Sequence, residues 1–189
     1  MNIAHIEPYS FIYGPGCRTV IWTQGCSVQC KGCWNTDMWS FEPKNLFSAD
    51  ELLSQILKNT PDIEDITLLG GEPLDQYPEI LELCQKAQQN GLSVMLFTGY
   101  EMHEIHEKNM QNILPYLDIL ITGRYDLTKR TLEHQWIGST NQKIHFLTEK
   151  YLNYPINNQN YVEIHLNENG SANILGFPYK NLAIFQILK

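Results

Sequence analysis

The chain has 189 residues and carries 13 Lys and Arg against 21 Asp and Glu, a net charge of −8, with 43% hydrophobic residues. That length suits one domain with a sizeable core, and the balance of apolar to charged residues is that of a globular protein. An acidic chain without a basic cluster is poorly suited to holding nucleic acid through phosphates. No apolar run approaches the roughly 18 residues a spanning helix needs, and MNIAHIEPYS lacks the features of a signal peptide. A cytoplasmic protein is expected, with no nucleic-acid or membrane partner.

In chain order, Arg18 to Gln24 (RTVIWTQ) has the composition of a strand and runs directly into GCSVQCKGC. Ser48 to Glu51 forms a capping box that opens a helix with Leu52, Leu53, Ile56 and Leu57 on one face. Asp65 to Leu69 reads as a buried strand ending in Gly70-Gly71-Glu72-Pro73. Tyr77 to Asn90 is a second helix, with Ile80, Leu81, Cys84 and Ala87 inward and Gly91 as its stop. Ser93 to Phe97 is a third strand, ending in Thr98-Gly99-Tyr100. Helical segments then reach about Asn109 and Pro115. Asp118 to Ile121 is a fourth strand, followed by Thr122-Gly123, and Lys143 to Leu147 a fifth.

Strands alternating with helices predict an α/β fold with a parallel sheet, whose sites gather at the C-terminal strand ends. The cysteine loop, Gly70-Gly71-Glu72, Thr98-Gly99 and Thr122-Gly123 would converge there. Residues 1–150 are expected to form this core. Residues 151–189 would be an extension of the same domain. In it, Tyr151 to Asn160 reads as a linker, and VEIHL and SANIL flank Asn167-Glu168-Asn169-Gly170, a hairpin signal.

The chemistry centres on Cys26, Cys30 and Cys33. Five cysteines, three of them within eight residues, form a poor disulfide framework and a good metal loop. A closed zinc site and an ordinary cubane both use four ligands, so three cysteines leave a metal position open. A structural zinc would need a fourth donor, for which His5 or Cys17 could be considered. Cys84, on the apolar side of its helix, reads as a small core hydrophobe. His103 and His106 sit a turn apart among charged residues and read as a solvated helix face. His134, His145 and His165 carry no assigned role. Glu72 offers a negative charge for an ammonium group, and the glycines before it allow close approach to the backbone.

The cysteine spacing followed by LLGGEP resembles the radical S-adenosylmethionine (SAM) enzymes. Gly14-Pro-Gly-Cys-Arg18, Gln24-Gly25-Cys26, Cys30-Lys-Gly-Cys33-Trp-Asn35, Thr98-Gly99-Tyr100 and Trp136-Ile-Gly-Ser-Thr-Asn-Gln142 narrow the resemblance. Over roughly Ile12 to Leu147 they are similar to the activating proteins of anaerobic (class III) ribonucleotide reductases.

The resemblance implies a partial (β/α) barrel with parallel strands, here extended by the C-terminal β-hairpin. It implies a [4Fe–4S] cluster on Cys26, Cys30 and Cys33, with Gly32 and Trp34 lining the adenosyl part of SAM. Gly70, Gly71 and Glu72 would hold its methionine part, and Thr98 would contact it. The implied activity is reductive cleavage of SAM to a 5′-deoxyadenosyl radical, which makes a glycyl radical on a large partner enzyme; cluster and SAM carry the chemistry. A flavodoxin or ferredoxin would supply the electron. Ile137 stands where the family usually has arginine, and Thr122 where aspartate is common, both in the half of the sheet expected to face substrate. A stand-alone radical SAM enzyme acting on a peptide, nucleotide or other metabolite is the alternative, and a non-catalytic zinc or iron–sulfur protein a third reading.

Overall fold

The computed structural model describes residues 1–58, 63, 65–166, 169 and 171–177. Its centre is a seven-stranded sheet with strands β1 (Asn2–Ser10), β2 (Arg18–Thr23), β3 (Asn45–Leu46), β4 (Asp65–Gly70), β5 (Ser93–Phe97), β6 (Ile119–Thr122) and β7 (Lys143–Phe146). The order across the sheet is β3-β1-β2-β4-β5-β6-β7. Neighbours among β2, β4, β5 and β6 pair in parallel. These are the four strands expected from the apolar runs.

The rest of the sheet differs from that expectation. β7 pairs antiparallel with β6, so the fifth strand does not extend the parallel set. β1, within a segment assigned no structure from sequence, is antiparallel to both β2 and β3. Its pairing with β2 is broken by register shifts, one of them between Glu7 and Ser10, where Pro8 falls. A strand interrupted in this way shows little alternation to read.

Three helices, α1 (Ala49–Leu57), α2 (Tyr77–Gln89) and α3 (Met102–Glu107), connect these strands. α1 starts at the capping box: the Glu51 amide donates to Ser48 Oγ at 3.2 Å, and the Ser48 amide donates to Glu51 Oε2 at 2.8 Å. α2 ends before Gly91, whose φ of +79° only glycine adopts without strain. Inward residues of all three helices, including Leu52, Ile56, Ile80, Leu83 and Ile105, share one core with Ile21, Leu68, Leu96 and Leu120. With side chains alternating along each strand, Val20, Trp22 and Leu69 point to the opposite face, as do Met95, Ile119 and Ile121. The helices therefore cover one face of the sheet, and loops and the C-terminal segment cover the other. Among the described residues no helix is long and apolar enough to cross a membrane.

Tyr151 to Asn160, expected as a linker, is anchored. Tyr151 is buried, its hydroxyl donates to Asp65 Oδ2 at 2.7 Å, and Tyr154 stacks on Trp136. The hairpin forms from β8 (Val162–Leu166) and β9 (Ala172–Gly176), antiparallel to each other in a separate two-stranded sheet. Of its predicted turn, Asn167, Glu168 and Gly170 lie outside the described residues.

Candidate functional site

The parallel register sets Thr23 beside Gly70, so β2 and β4 deliver the cysteine loop and the Gly-Gly-Glu segment side by side. Backbone bonds then tie the two loops together. The Gly71 amide donates to Thr23 O and the Glu72 amide to Gly25 O, each at 2.9 Å. A Cβ on Gly71 would lie 2.1 Å from Gly25 O, and one on Gly70, at φ +118°, 2.4 Å from Thr23 N. The close approach these glycines permit is thus made by neighbouring backbone.

Asp75 adds a second tie. Its carboxylate accepts from the Ser27 amide at 2.6 Å, the Ser27 hydroxyl at 2.8 Å and the Tyr100 hydroxyl at 2.9 Å. Three segments, one of them the stretch between Cys26 and Cys30, therefore meet at one carboxylate.

Cys26, Cys30 and Cys33 line one cleft, together with Trp34, Gly70, Gly71, Glu72 and Thr98. Of the cofactor-binding residues expected from the sequence, only Gly32 is not part of its wall. Gly32 has φ +79°, and a Cβ there would press on the Leu127 side chain at 3.0 Å, so this glycine serves the loop's turn. Cys26 is buried, Cys30 and Cys33 are half-buried, and none is in a disulfide. Burial pushes the Cys26 and Cys30 thiols up, opposed at Cys26 by the Gln29 and Val28 amides and at Cys30 by the Tyr125 amide. The Asn35 amide donates to Cys33 Sγ at 3.4 Å. Amides aimed at sulfur favour the thiolate, which is the form that binds metal.

Glu72 is 1% exposed. Its Oε1 accepts from the Leu74 amide at 3.0 Å and Thr98 Oγ1 at 2.8 Å, and its Oε2 from the Gly99 amide at 2.7 Å. Burial nevertheless outweighs these donors and pushes its pKa up to about 7. A carboxylate offers about four lone-pair positions, so one donor more can be accepted. A cationic donor there would relieve the burial penalty.

The donor set fits an iron–sulfur cluster. Three thiols share one wall, and among the described residues no three Cys, His, Asp or Glu side chains converge on a single ion. The fourth donors considered for zinc lie elsewhere. His5 packs on the Trp22 ring at 5.3 Å, with Nε2 3.9 Å from Glu7, and Cys17 packs against the helix-side core. Cys84 is fully buried in α2.

Comparison with known proteins agrees with this geometry. The family model described as a 4Fe-4S single cluster domain matches residues 12–145. The anaerobic ribonucleoside-triphosphate reductase-activating protein of Enterobacteria phage T4 is 37% identical over 153 residues, which cover 76% of this chain and 93% of that protein. The protein of the same name from Haemophilus influenzae is 33% identical over 153 residues, 77% of this chain and 97% of that one.

The chain belongs to this family of activating proteins.

The Vibrio cholerae member is 29% identical over 155 residues, covering 78% of this chain and 99% of its own. Among solved structures, QueE from Escherichia coli is a slight likeness: TM-score 0.41, 20% identity, with 52% of this chain and 51% of that one covered.

Two segments that marked the resemblance to the activating proteins have physical roles in the fold. Gly14-Pro-Gly-Cys-Arg18 is a socket. The Arg18 guanidinium is wholly buried and donates to Pro15 O, Asp65 Oδ2, Ile66 O and Thr67 Oγ1 at 2.6 to 3.0 Å. A Cβ on Gly14 would lie 2.7 Å from Arg18 Cδ. This network sits at the end of the parallel strands opposite the cysteines. Gly138 to Gln142 is a brace: Gln142 Oε1 accepts from the Gly138 and Ser139 amides, Gln142 Nε2 donates to Gly123 O, and Asn141 Nδ2 donates to Arg124 O. It holds the strand end after β6 against the cleft wall.

Thr122 and Ile137, two of the positions expected to depart from the family pattern, are not part of that wall. Thr122 is 2.9 Å from His145 Nε2, and Ile137 packs into the core around Trp136. His103 and His106 lie on the exposed side of α3. The aromatic lining of Tyr13, Tyr125, Trp136, Tyr161 and Phe177 went unrecognised from sequence. Trp136 alone had a local signal, its place in the Trp-Ile-Gly-Ser-Thr-Asn-Gln segment.

Proposed function

We propose that this chain is a radical SAM activase that generates a glycyl radical on an anaerobic ribonucleotide reductase. One observation carries the reading: the three cysteines and the buried carboxylate of Glu72 face a common cleft at the C-terminal ends of parallel strands, in a chain of the activating-protein family. When bound, the [4Fe–4S] cluster would deliver one electron to SAM, breaking its C5′–S bond to methionine and a 5′-deoxyadenosyl radical that takes a hydrogen atom from a glycine Cα and leaves as 5′-deoxyadenosine.

Cys26, Cys30 and Cys33 would hold the cluster and leave one iron open to SAM. Glu72 would receive the ammonium group, with Thr98 and the Gly99 amide fixing its carboxylate. Gly70 and Gly71 would keep the methionine end close to the cysteine loop. Trp34, 43% exposed, offers a ring face near the adenosyl group, while Gly32 acts through the turn it permits. We read the four parallel strands as the partial barrel of radical SAM enzymes, with 1–150 and the hairpin extension as one domain. The electron would come from a flavodoxin or ferredoxin in the cytoplasm.

The test is anaerobic reconstitution, reduction and addition of SAM. 5′-Deoxyadenosine should form, and adding a reductase should produce the electron paramagnetic resonance doublet of a glycyl radical. A fully loaded protein that cleaves no SAM refutes the proposal. Cleavage without the doublet, across several reductases, points to a stand-alone enzyme acting on a peptide, nucleotide or other metabolite.

A further inference from the structure

The hairpin takes no part in the roles assigned above. β8 and β9 lie outside the seven-stranded sheet and beyond the residues 12–145 that the family model matches. β8 inverts the usual order of a covering strand, since Ile164 and Leu166 are exposed while Glu163 and His165 face β1. Glu163 accepts from Ser10 Oγ at 2.6 Å and from the Phe11 amide at 2.7 Å, and His165 Nδ1 lies 3.3 Å from Glu7. On β9, Leu175 is buried with Ala4, Val20, Trp22 and Leu69, and the Gly176 amide donates to the Tyr13 hydroxyl at 2.9 Å.

These contacts seat the base of the hairpin over the cleft. Tyr161, Gly176 and Phe177 are part of the cleft wall. Gly176 has φ +95°, and a Cβ there would lie 2.5 Å from Tyr161 O, so the base closes tightly on itself. From it Phe177 reaches the cysteine loop, its ring meeting the Trp34 ring edge-on at 6.3 Å. A segment that only braced β1 would need no such contact.

We propose that Phe177, held against Trp34 by the docked hairpin, is a specificity-determining wall of the cleft. It admits the reacting segment of the partner as a narrow, extended stretch of backbone and keeps small hydrogen-atom donors of the solution, such as thiols, from the carbon radical formed beside it. Glycine, without a Cβ, is the residue that such a passage obstructs least. Aromatic rings suit the wall because they exclude water without adding a charge. The inference rests on the activase reading above for its partner but not for the wall itself.

Phe177→Ala, Phe177→Leu and Glu163→Gln test it with two readouts. In the metal-free protein, Phe177→Ala should speed alkylation of the cleft thiols by a bulky maleimide roughly tenfold relative to small iodoacetamide, because access limits the larger reagent. In the reconstituted protein with reductase, deoxyadenosine released per glycyl radical should rise about tenfold, as the unshielded radical takes a hydrogen atom from a thiol or a C–H bond of the buffer instead. Phe177→Leu should fall between wild type and Ala. Glu163→Gln, which loosens the hairpin from Ser10 and Phe11, should move both readouts the same way and serves if Phe177→Ala fails to fold. Unchanged alkylation selectivity and unchanged stoichiometry overturn the proposal. A wild-type protein that cleaves SAM but never yields a glycyl radical sinks the activase reading, and the alkylation ratio still decides the wall.

Discussion

Two buried carboxylates stand at opposite ends of the same parallel strands, and their surroundings move them in opposite directions. At the closed end, burial alone would raise Asp65, but Arg18, with donors from Tyr151 and Ser93 and the nearby Lys150, outweighs it and holds the carboxyl below its ordinary range. At the cleft end, Glu72 has three donors but no cationic partner among the described residues, and burial pushes it up to about 7. The closed end is complete in itself. At the cleft end, no cation among the described residues offsets the burial of the carboxylate.

The largest effect expected from breaking this contrast is at Arg18. Arg18→Ala removes the buried cation beside Asp65, leaving it only the half-exposed Lys150 and neutral donors, and should cost about 3–5 kcal/mol in denaturant unfolding. The resulting loss should be greatest at neutral pH, where Asp65 is ionised. Protonation as pH falls through the Asp65 pKa should narrow the gap to wild type.

Glu72→Gln should act with the opposite sign. A carboxyl raised in the folded state contributes stability that is present below its unfolded value of 4.5 and lost as pH rises through about 7. Gln Nε2 cannot accept as a carboxylate oxygen does, which costs the metal-free variant the same at every pH. Its stability relative to wild type should nevertheless rise by up to about 3 kcal/mol from pH 4 to pH 8 in thermal or denaturant unfolding. The same variant should bind SAM more weakly after reconstitution.

Gly71→Ala sets a Cβ against Gly25 O, a backbone atom that cannot swing aside. It should cost about 1–3 kcal/mol and lower iron incorporation, measured as iron per chain after reconstitution. The smallest effect is at Tyr100→Phe, which removes one donor to Asp75. It should cost about 1 kcal/mol and speed amide hydrogen exchange within residues 26–33 while leaving the closed end protected.

What could be read from sequence follows the range of the interactions. The cysteine spacing, the capping box at Ser48 and the parallel strands around Ile21, Leu68, Leu96 and Leu120 are local patterns, and each survived folding. The direction of β7 did not, because antiparallel pairing to β6 depends on the path of residues 123–142, not on KIHF itself. Asp75 joins Ser27 and Tyr100 across 48 and 25 residues, so no window of sequence displays the node. Gly70 and Gly71 read from sequence as room for a cofactor, whereas the atoms that crowd them are backbone of Thr23 and Gly25, a neighbour set only by the β2–β4 register. The covering role of the hairpin was hidden because Glu163 and His165, polar residues, face inward while apolar ones face out.

The proposed activity requires a cluster held by three cysteines with one iron left for SAM. Mössbauer spectroscopy of the iron-57 reconstituted protein reads this directly. Adding SAM should change the spectrum of a single iron of the [4Fe–4S] cluster while the other three keep theirs. Irons that are all insensitive to SAM in a fully loaded cluster would contradict the account.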